Sequence, residues 1–134
     1  MRFLLDTNVI SEVGKSRPNA KVMNWLLQHE ANSGVPSIAI AERAQGICSM
    51  EEPKRTQLLK ELKAWTQEHS EKIVAFDDEA AIVWGEYVQR PALRLNPKGV
   101  CDTQIAAIAL SRNLILVTRN VDDFPEIQVL NPWD

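Results

Sequence analysis

Carboxylates follow three of the short apolar runs in this sequence, where those runs give way to helical patterns. Asp6 comes directly after the first run, Glu42 lies in the opening turns of a helix after the second, and Asp102 opens a later helix. Carboxylate oxygens without His or Cys partners are the donor set that Mg²⁺ or Mn²⁺ prefers. A metal ion held in this way polarises a phosphate and activates water, so the pattern favours phosphodiester hydrolysis.

Each of these residues also has an ordinary structural interpretation. An Asp between a strand and a helix is frequently only an N-cap, and a Glu on a helix usually faces solvent. Asp122 and Asp123, which follow the fourth apolar run, are typical turn residues. The conjunction favours a site, because acids that emerge at one edge of a sheet repel one another unless a cation neutralises them.

The elements that must position these acids are strands and helices in alternation. Several apolar runs lack polar alternation, which is typical of strands covered on both faces. The predicted strands are Arg2–Leu5, Gly34–Pro36, Ile73–Phe76, Leu114–Val117 and Gln128–Leu130. Helices are predicted near Ala20–Glu30, Lys54–His69, Glu79–Gln89 and Asp102–Arg112. This order predicts a three-layer α/β fold, with a parallel sheet of about five strands flanked by helices and ligands at the carboxyl ends of the strands.

Composition sets the class of protein. A chain of 134 residues with 45% hydrophobic and 25% charged residues predicts one globular domain over residues 1–134. The run Phe3-Leu4-Leu5 is too short for a signal peptide, and no uncharged stretch is long enough to cross a membrane. The 2 cysteines do not make a disulfide framework, so we expect a cytoplasmic protein.

Four segments together resemble a known family. They are Leu5-Asp6-Thr7-Asn8-Val9-Ile10-Ser11-Glu12, Ala41-Glu42, Asp102 before Ile105-Ala106-Ala107, and Val117-Thr118-Arg119-Asn120. Their order and spacing resemble PIN-domain proteins, and more narrowly the VapC-type toxins of bacterial toxin–antitoxin pairs. The closing Leu130-Asn131-Pro132-Trp133 is similar to the FitB-like branch of those toxins.

The resemblance implies an endoribonuclease that hydrolyses RNA with Mg²⁺ or Mn²⁺. It assigns Asp6 and Asp102 as the main metal ligands and Glu42 as the third acid, which ligates the metal or orients the attacking water. The chain departs from the family pattern at Asn120, where many relatives have Asp. We expect Asn120 to contribute an amide oxygen to the catalytic set.

Further residues support this set in the same interpretation. The missing charge at Asn120 is expected to come from Asp122 or Asp123. Thr7 and Thr118 are expected to hydrogen-bond the metal ligands.

Four cations are predicted to contact the RNA backbone. Arg90, Arg94 and Lys98 lie in a loop, Arg90–Gly99, that contains no acid and precedes Asp102, while Arg119 lies near the opposite edge of the sheet. Phosphate contacts of this kind make binding steeply dependent on salt. An unpaired or looped RNA is the expected target, because it reaches a recessed site more easily than a duplex.

Two helical regions, Trp25–Leu27 and Leu58–Trp65, carry more large apolar residues than a small sheet needs. The resemblance implies that part of this surface forms a homodimer seam or a groove for a VapB-type antitoxin. No membrane partner is expected.

Three other functions are compatible with parts of the pattern. A small haloacid-dehalogenase-like phosphatase also has an Asp after its first strand, but Asn8 stands where it needs a second acid. A receiver-like module also carries acids at strand ends, but it needs a Lys where this chain has Thr118-Arg119. A non-catalytic PIN-like binding module is the third alternative, because of Asn120.

Overall fold

A computed structural model describes all residues, 1–134, and contains a five-stranded parallel sheet. The strands are β1 (Phe3–Leu5), β2 (Ser33–Pro36), β3 (Ile73–Val74), β4 (Ile115–Val117) and β5 (Val129–Leu130). Their order across the sheet is β3-β2-β1-β4-β5, and every neighbouring pair is parallel. The predicted α/β class is therefore confirmed, and each predicted strand is present, although β3 ends at Val74 and not at Phe76.

Seven α-helices flank the sheet. They are α1 (Thr7–Val13), α2 (Ala20–His29), α3 (Ser37–Cys48), α4 (Lys54–Glu68), α5 (Asp78–Val88), α6 (Pro91–Leu95) and α7 (Val100–Arg112). The segment predicted as the loop Arg90–Gly99 contains the short helix α6, so that prediction was wrong over five residues. Pro91 occupies the first turn of α6, where its missing N–H costs nothing.

The hydrophobic core lies on both faces of the sheet because neighbouring strand residues point in opposite directions. Leu4 and Leu116 belong to a large cluster that includes the buried face of α7. Phe3 and Val117 belong to a smaller cluster, which consists of Phe3, Val9, Val22, Leu26 and Val117. Residues Ile105–Ala109 of α7 are all buried, so this helix is held tightly from several sides.

The carboxyl ends of the two central strands lie side by side. Leu5 of β1 is in register with Val117 of β4, and the backbone N–H of Asp6 donates to the carbonyl of Val117 at 2.9 Å. Asp6 and Thr118 therefore leave the sheet at the same edge. This geometry sets the position of the acidic site.

None of the helices has the length and apolarity needed to span a bilayer.

The segment after β4 is tethered to α5 by one buried hydroxyl. Tyr87 is 1% exposed, and its Oη donates to the carbonyl of Pro125 at 2.7 Å. Burial raises the pKa of Tyr87 to about 12, so the hydroxyl keeps its proton at any physiological pH.

We predict that Tyr87→Phe lowers the free energy of unfolding by about 1 kcal/mol, because the part-buried hydrogen bond to the carbonyl of Pro125 is lost. Urea denaturation measures the change. Ser49→Ala is the matched control, since its hydroxyl also donates to a carbonyl but is exposed to water. An equal effect of the two substitutions would show that burial of the tyrosine bond contributes nothing.

Candidate functional site

Asp6 is the most constrained acid of the site. It is 5% exposed and caps α1, with Oδ1 accepting from the backbone N–H of Thr7 at 2.8 Å. Its Oδ2 accepts from the Thr118 hydroxyl at 2.8 Å and from the Asn8 amide at 3.3 Å. Burial raises the pKa of Asp6, the bonds from Thr118 and Thr7 oppose that rise, and the charges of Glu42 and Asp123 add to it.

Thr118, which is expected from the sequence to hydrogen-bond the metal ligands, lies buried directly beside Asp6 and donates to it. It is 0% exposed, and its hydroxyl oxygen also accepts from the Asn8 amide at 3.2 Å and from the backbone N–H of Asn120 at 3.1 Å. Asn8 links the same groups to the next residue, because its Oδ1 accepts from the backbone N–H of Arg119 at 3.3 Å. No role was predicted for Asn8 beyond its place in the motif around Asp6.

Glu42 approaches the site from α3. It is half-buried, and its Oε1 accepts from the Thr7 hydroxyl at 2.7 Å. Thr7 therefore contacts both acids, Asp6 through its backbone N–H and Glu42 through its side chain. The interpretation of Glu42 as an ordinary solvent-facing residue does not describe this contact.

Asp102 lies in the first turn of α7 and is half-buried. Burial, together with the charges of Asp6, Asp123 and Glu42, raises its pKa from 3.8 to about 6, while Lys98 opposes the rise. Four acids that are distant along the chain therefore share one electrostatic environment.

The structure distinguishes the two acids that follow Asn120. Asn120 itself is exposed and lines the acidic cleft. The charge of Asp123 raises the pKa of both Asp6 and Asp102, so Asp123 lies close enough to act on both acids. Asp122 is exposed and has no such influence on either acid.

The four cations predicted to contact RNA differ in their surroundings. Arg119 lines the cleft, and Lys98 is close enough to lower the pKa of Asp102. Arg94 is exposed on α6. Arg90 lies over the ring of Tyr87 and pairs with Glu126 at 3.8 Å, so its charge is partly used within the protein.

Asp6, Glu42 and Asp102 line a cleft of ≈ 380 Å³. Its walls are formed by Asp6, Thr7, Asn8, Ser11, Glu12, Lys15, Glu42, Asp102, Arg119, Asn120 and Trp133. Glu12, Lys15 and Trp133 were not predicted as site residues. Glu12 is 4% exposed and pairs with Lys15 at 2.9 Å, which brings a further cation to the wall of the cleft.

The donor set fits a hard cation bound partly through water. No group of three or more His, Cys, Asp or Glu side chains lies close enough together to form a complete metal site from protein ligands alone. Mg²⁺ does not need one, because it keeps several waters and is usually held by one or two carboxylates. Asp6 and Asp102, with Glu42 beside them, match that requirement, and the raised pKa of Asp6 and of Asp102 indicates a cleft that favours an added positive charge.

Comparison with known proteins gives a consistent result. The sequence model of the PIN domain matches residues 3–130. The chain is 32% identical to the plasmid stability protein StbB of Pseudomonas syringae pv. tomato, over 98% of this chain and 99% of that protein. It is 26% identical to the VapC ribonuclease Y4jK of Sinorhizobium fredii, over 98% of both chains.

A solved structure agrees with the sequence comparison. Toxin FitB of Neisseria gonorrhoeae is 28% identical to this chain over 98% of both chains. A chain in the crystal structure of FitAcB from the same organism superposes with a TM-score of 0.81, at 29% identity and with 98% of each chain covered.

We predict that Asp102→Asn stabilises the metal-free protein at neutral pH. The folded pKa of about 6 lies above the unfolded value of 3.8, so the folded state binds the proton more tightly. The free energy of unfolding therefore falls as pH rises from about 4 to about 6, and stays low above that range. Asparagine removes this penalty, which is about 1 kcal/mol at pH 7.5 after allowance for solvent screening.

Denaturation in EDTA at pH 4 and pH 7.5 measures the effect, and the gain is expected only at the higher pH. Asp77→Asn is the matched control of opposite sign. A bond from the backbone N–H of Ala80, with help from Arg112, lowers the pKa of Asp77, so this variant is expected to lose stability at neutral pH. A pH-independent effect of Asp102→Asn would contradict the prediction.

Proposed function

The chain belongs to the PIN-domain family, and we propose that it is a Mg²⁺- or Mn²⁺-dependent endoribonuclease, the toxin of a VapBC-type toxin–antitoxin pair. One observation carries the proposal: Asp6, Glu42 and Asp102 come from three separate elements and line one cleft. Residues 1–134 form a single PIN domain in this proposal, and the site of action is the cytoplasm. The similarity to a VapC ribonuclease supports the class of reaction.

Asp6 and Asp102 would hold the metal ion, with Glu42 ligating it directly or through water. When bound, such an ion stabilises charge on the phosphate and acidifies water for in-line attack. Asp6 enters this role with its orientation determined, because both of its oxygens accept hydrogen bonds from the protein.

Glu42 orients the attacking water. The Thr7 hydroxyl occupies its Oε1, so its Oε2 is the atom that accepts a hydrogen bond or a proton from that water. Asn120 offers a neutral amide oxygen at the same wall of the cleft, and Asp123 supplies the negative charge that Asn120 lacks.

Lys98, Arg94 and Arg119 contact the phosphates on either side of the bond that is cut, with a smaller contribution from Arg90 because of its pairing with Glu126. Lys98 and Arg119 lie at the acidic cleft, so they also offset the repulsion between the acids and an incoming phosphate. Arg94 extends the positive surface away from the cleft. An unpaired RNA strand fits this arrangement.

The antitoxin occupies an apolar groove beside the acidic cleft. This groove, of ≈ 350 Å³, lies between α1, α2 and the end of α4. Its apolar walls include Val9, Val13, Leu27 and Trp65, and Leu27 is 73% exposed. A VapB-type peptide that fills the groove places a basic side chain within reach of the acids. A homodimer is part of the same proposal.

The matches favour this function over the other enzymatic and signalling alternatives. The family match is to PIN domains, which separates the chain from dehalogenase-like phosphatases and receiver modules. Asn8, which stands where such a phosphatase needs an acid, is engaged with Asp6 and Thr118. A non-catalytic PIN-like module is an outcome of the next experiment.

We predict that Asp6→Asn and Asp102→Asn each reduce metal-dependent RNA cleavage by at least about 100-fold, because each removes a charge that the metal requires. Cleavage of end-labelled single-stranded RNA with Mg²⁺ or Mn²⁺, with and without EDTA, measures this. Asp77→Asn is the control, since Asp77 caps α5 away from the cleft. Cleavage that persists in EDTA would contradict the metal dependence of the reaction. RNA binding without any cleavage would indicate the non-catalytic PIN-like module.

We predict that Arg94→Ala and Lys98→Ala each weaken RNA binding and reduce the salt dependence by roughly one phosphate contact, a change in slope of about 0.7 for a single strand. Filter binding between low and moderate salt measures the slope. Arg55→Ala is the control, because Arg55 pairs with Glu52 at the start of α4. An unchanged slope in both variants would show that α6 and the residues after it do not contact RNA.

A further inference from the structure

An aromatic ring borders the acidic cleft. Trp133 is the one hydrophobic residue among those that line it, and its side chain is half-buried. Packing of the hydrophobic core does not account for the part of the indole that lies beside the carboxylates. The position of Trp133 therefore needs a separate explanation.

The C-terminal segment holds this ring in place. The backbone N–H of Thr118 donates to the carbonyl of Leu130 at 2.9 Å, which attaches the end of β5 beside the support of Asp6. Beyond it, the backbone N–H of Trp133 donates to Oδ1 of Asn131 at 2.9 Å, and Pro132 is buried. Part of the indole packs against the smaller cluster, so its orientation is restricted before any ligand arrives.

Arg119 completes the arrangement. The guanidinium carbon of Arg119 lies 5.2 Å from the centre of the Trp133 ring, within the range of a cation–π interaction. The backbone of Arg119 is bonded to Asn8, which also bonds Asp6. The ring and the guanidinium are therefore attached to the same network as the catalytic carboxylate.

We propose that Trp133 and Arg119 form a stacking surface for one unpaired nucleobase of the RNA strand whose phosphate enters the acidic cleft. The proposal rests on the ribonuclease function given above. Indole and guanidinium groups are among the planar side chains on which unpaired RNA bases stack. The surface lies at the wall of the cleft, so the base that it holds belongs to a nucleotide next to the reacting phosphate.

This assignment gives the site a structural preference for its substrate. A base within a duplex has both faces covered by its neighbours, whereas a base in a loop or a single strand offers a free face to the protein. Every base has such a face, so the surface selects unpaired nucleotides with little regard to their identity.

A purely structural role for Trp133 makes a different prediction, and Trp25 provides the comparison. Trp25 is also half-buried and also packs against the smaller cluster, where it contacts Phe3 and His29 edge-on and face-on respectively. It does not line the acidic cleft. Replacement of either tryptophan by leucine reduces packing, but only Trp133→Leu removes the stacking surface.

The test is a thermodynamic cycle between the ring and the base. It uses the full chain carrying Asp102→Asn to prevent cleavage, with a 2′-O-methyl hexaadenylate and six versions that each carry one abasic position. We expect Trp133→Leu to weaken binding of the intact strand about 10-fold. One abasic strand is expected to bind the parent protein about 10-fold less tightly and to lose little more with Trp133→Leu, because the same contact is already absent.

Additional variants separate stacking from charge and from folding. Arg119→Lys keeps the charge but not the plane, so we expect weaker binding of the intact strand with an unchanged salt slope. Trp133→Phe keeps an aromatic face and is expected to bind between the parent and Trp133→Leu. Trp25→Leu is expected to bind within about 2-fold of the parent.

Several results would overturn the proposal. The first is that Trp133→Leu and every abasic position weaken binding additively, which would show that the ring contacts none of the bases. The second is that Trp25→Leu weakens binding as much as Trp133→Leu. The third is that the parent protein does not detectably bind the hexanucleotide. RNA cleavage by the chain with Asp102 intact is measured separately. If this chain does not cleave RNA but the cycle still shows coupling between Trp133 and one base, the ribonuclease function is refuted. RNA stacking at Trp133 is then still supported.

Discussion

The burial and mutual repulsion of carboxylates that the fold brings together are the constraint on which this site depends. Asp6 is almost fully buried, and burial together with the charges of Asp6, Asp123 and Glu42 raises the pKa of Asp102 to about 6. A cluster of this kind opposes folding, since Asp6 and Asp102 are more easily protonated in the folded protein than in water. The surrounding structure must offset that cost without neutralising the acids.

Two features of the fold provide the offset. Thr118 and Thr7 donate hydrogen bonds that favour the charged form of Asp6. Asp6 and Asp102 also stand at the beginning of α1 and α7, where unpaired backbone N–H groups carry partial positive charge. The neighbouring ends of parallel β1 and β4 bring these helices to one edge of the sheet, so topology and electrostatics act together.

Much of this was predictable because it is local or periodic. The strands are short apolar runs, and acids at their carboxyl ends must meet once the sheet is parallel. The contacts that complete the site join distant residues: Asn8 and Thr118 are 110 positions apart, and nothing in either segment specifies the bond between them. Tertiary packing likewise determines three other features that were not predicted. They are the pairing of Arg90 with Glu126, the helix α6 within a predicted loop, and the position of Trp133 in the cleft.

Helix α1 has seven residues and serves two neighbouring depressions of the surface. Thr7, Asn8 and Ser11 face the acidic cleft, while Val9, Ile10 and Val13 line the apolar groove. If an inhibitory peptide fills the groove, the protein has little freedom to evolve resistance to it, because any shift of α1 that loosens the peptide also displaces the bonds to Asp6 and Glu42. The peptide contact and the geometry of the acidic cleft would then be inherited together.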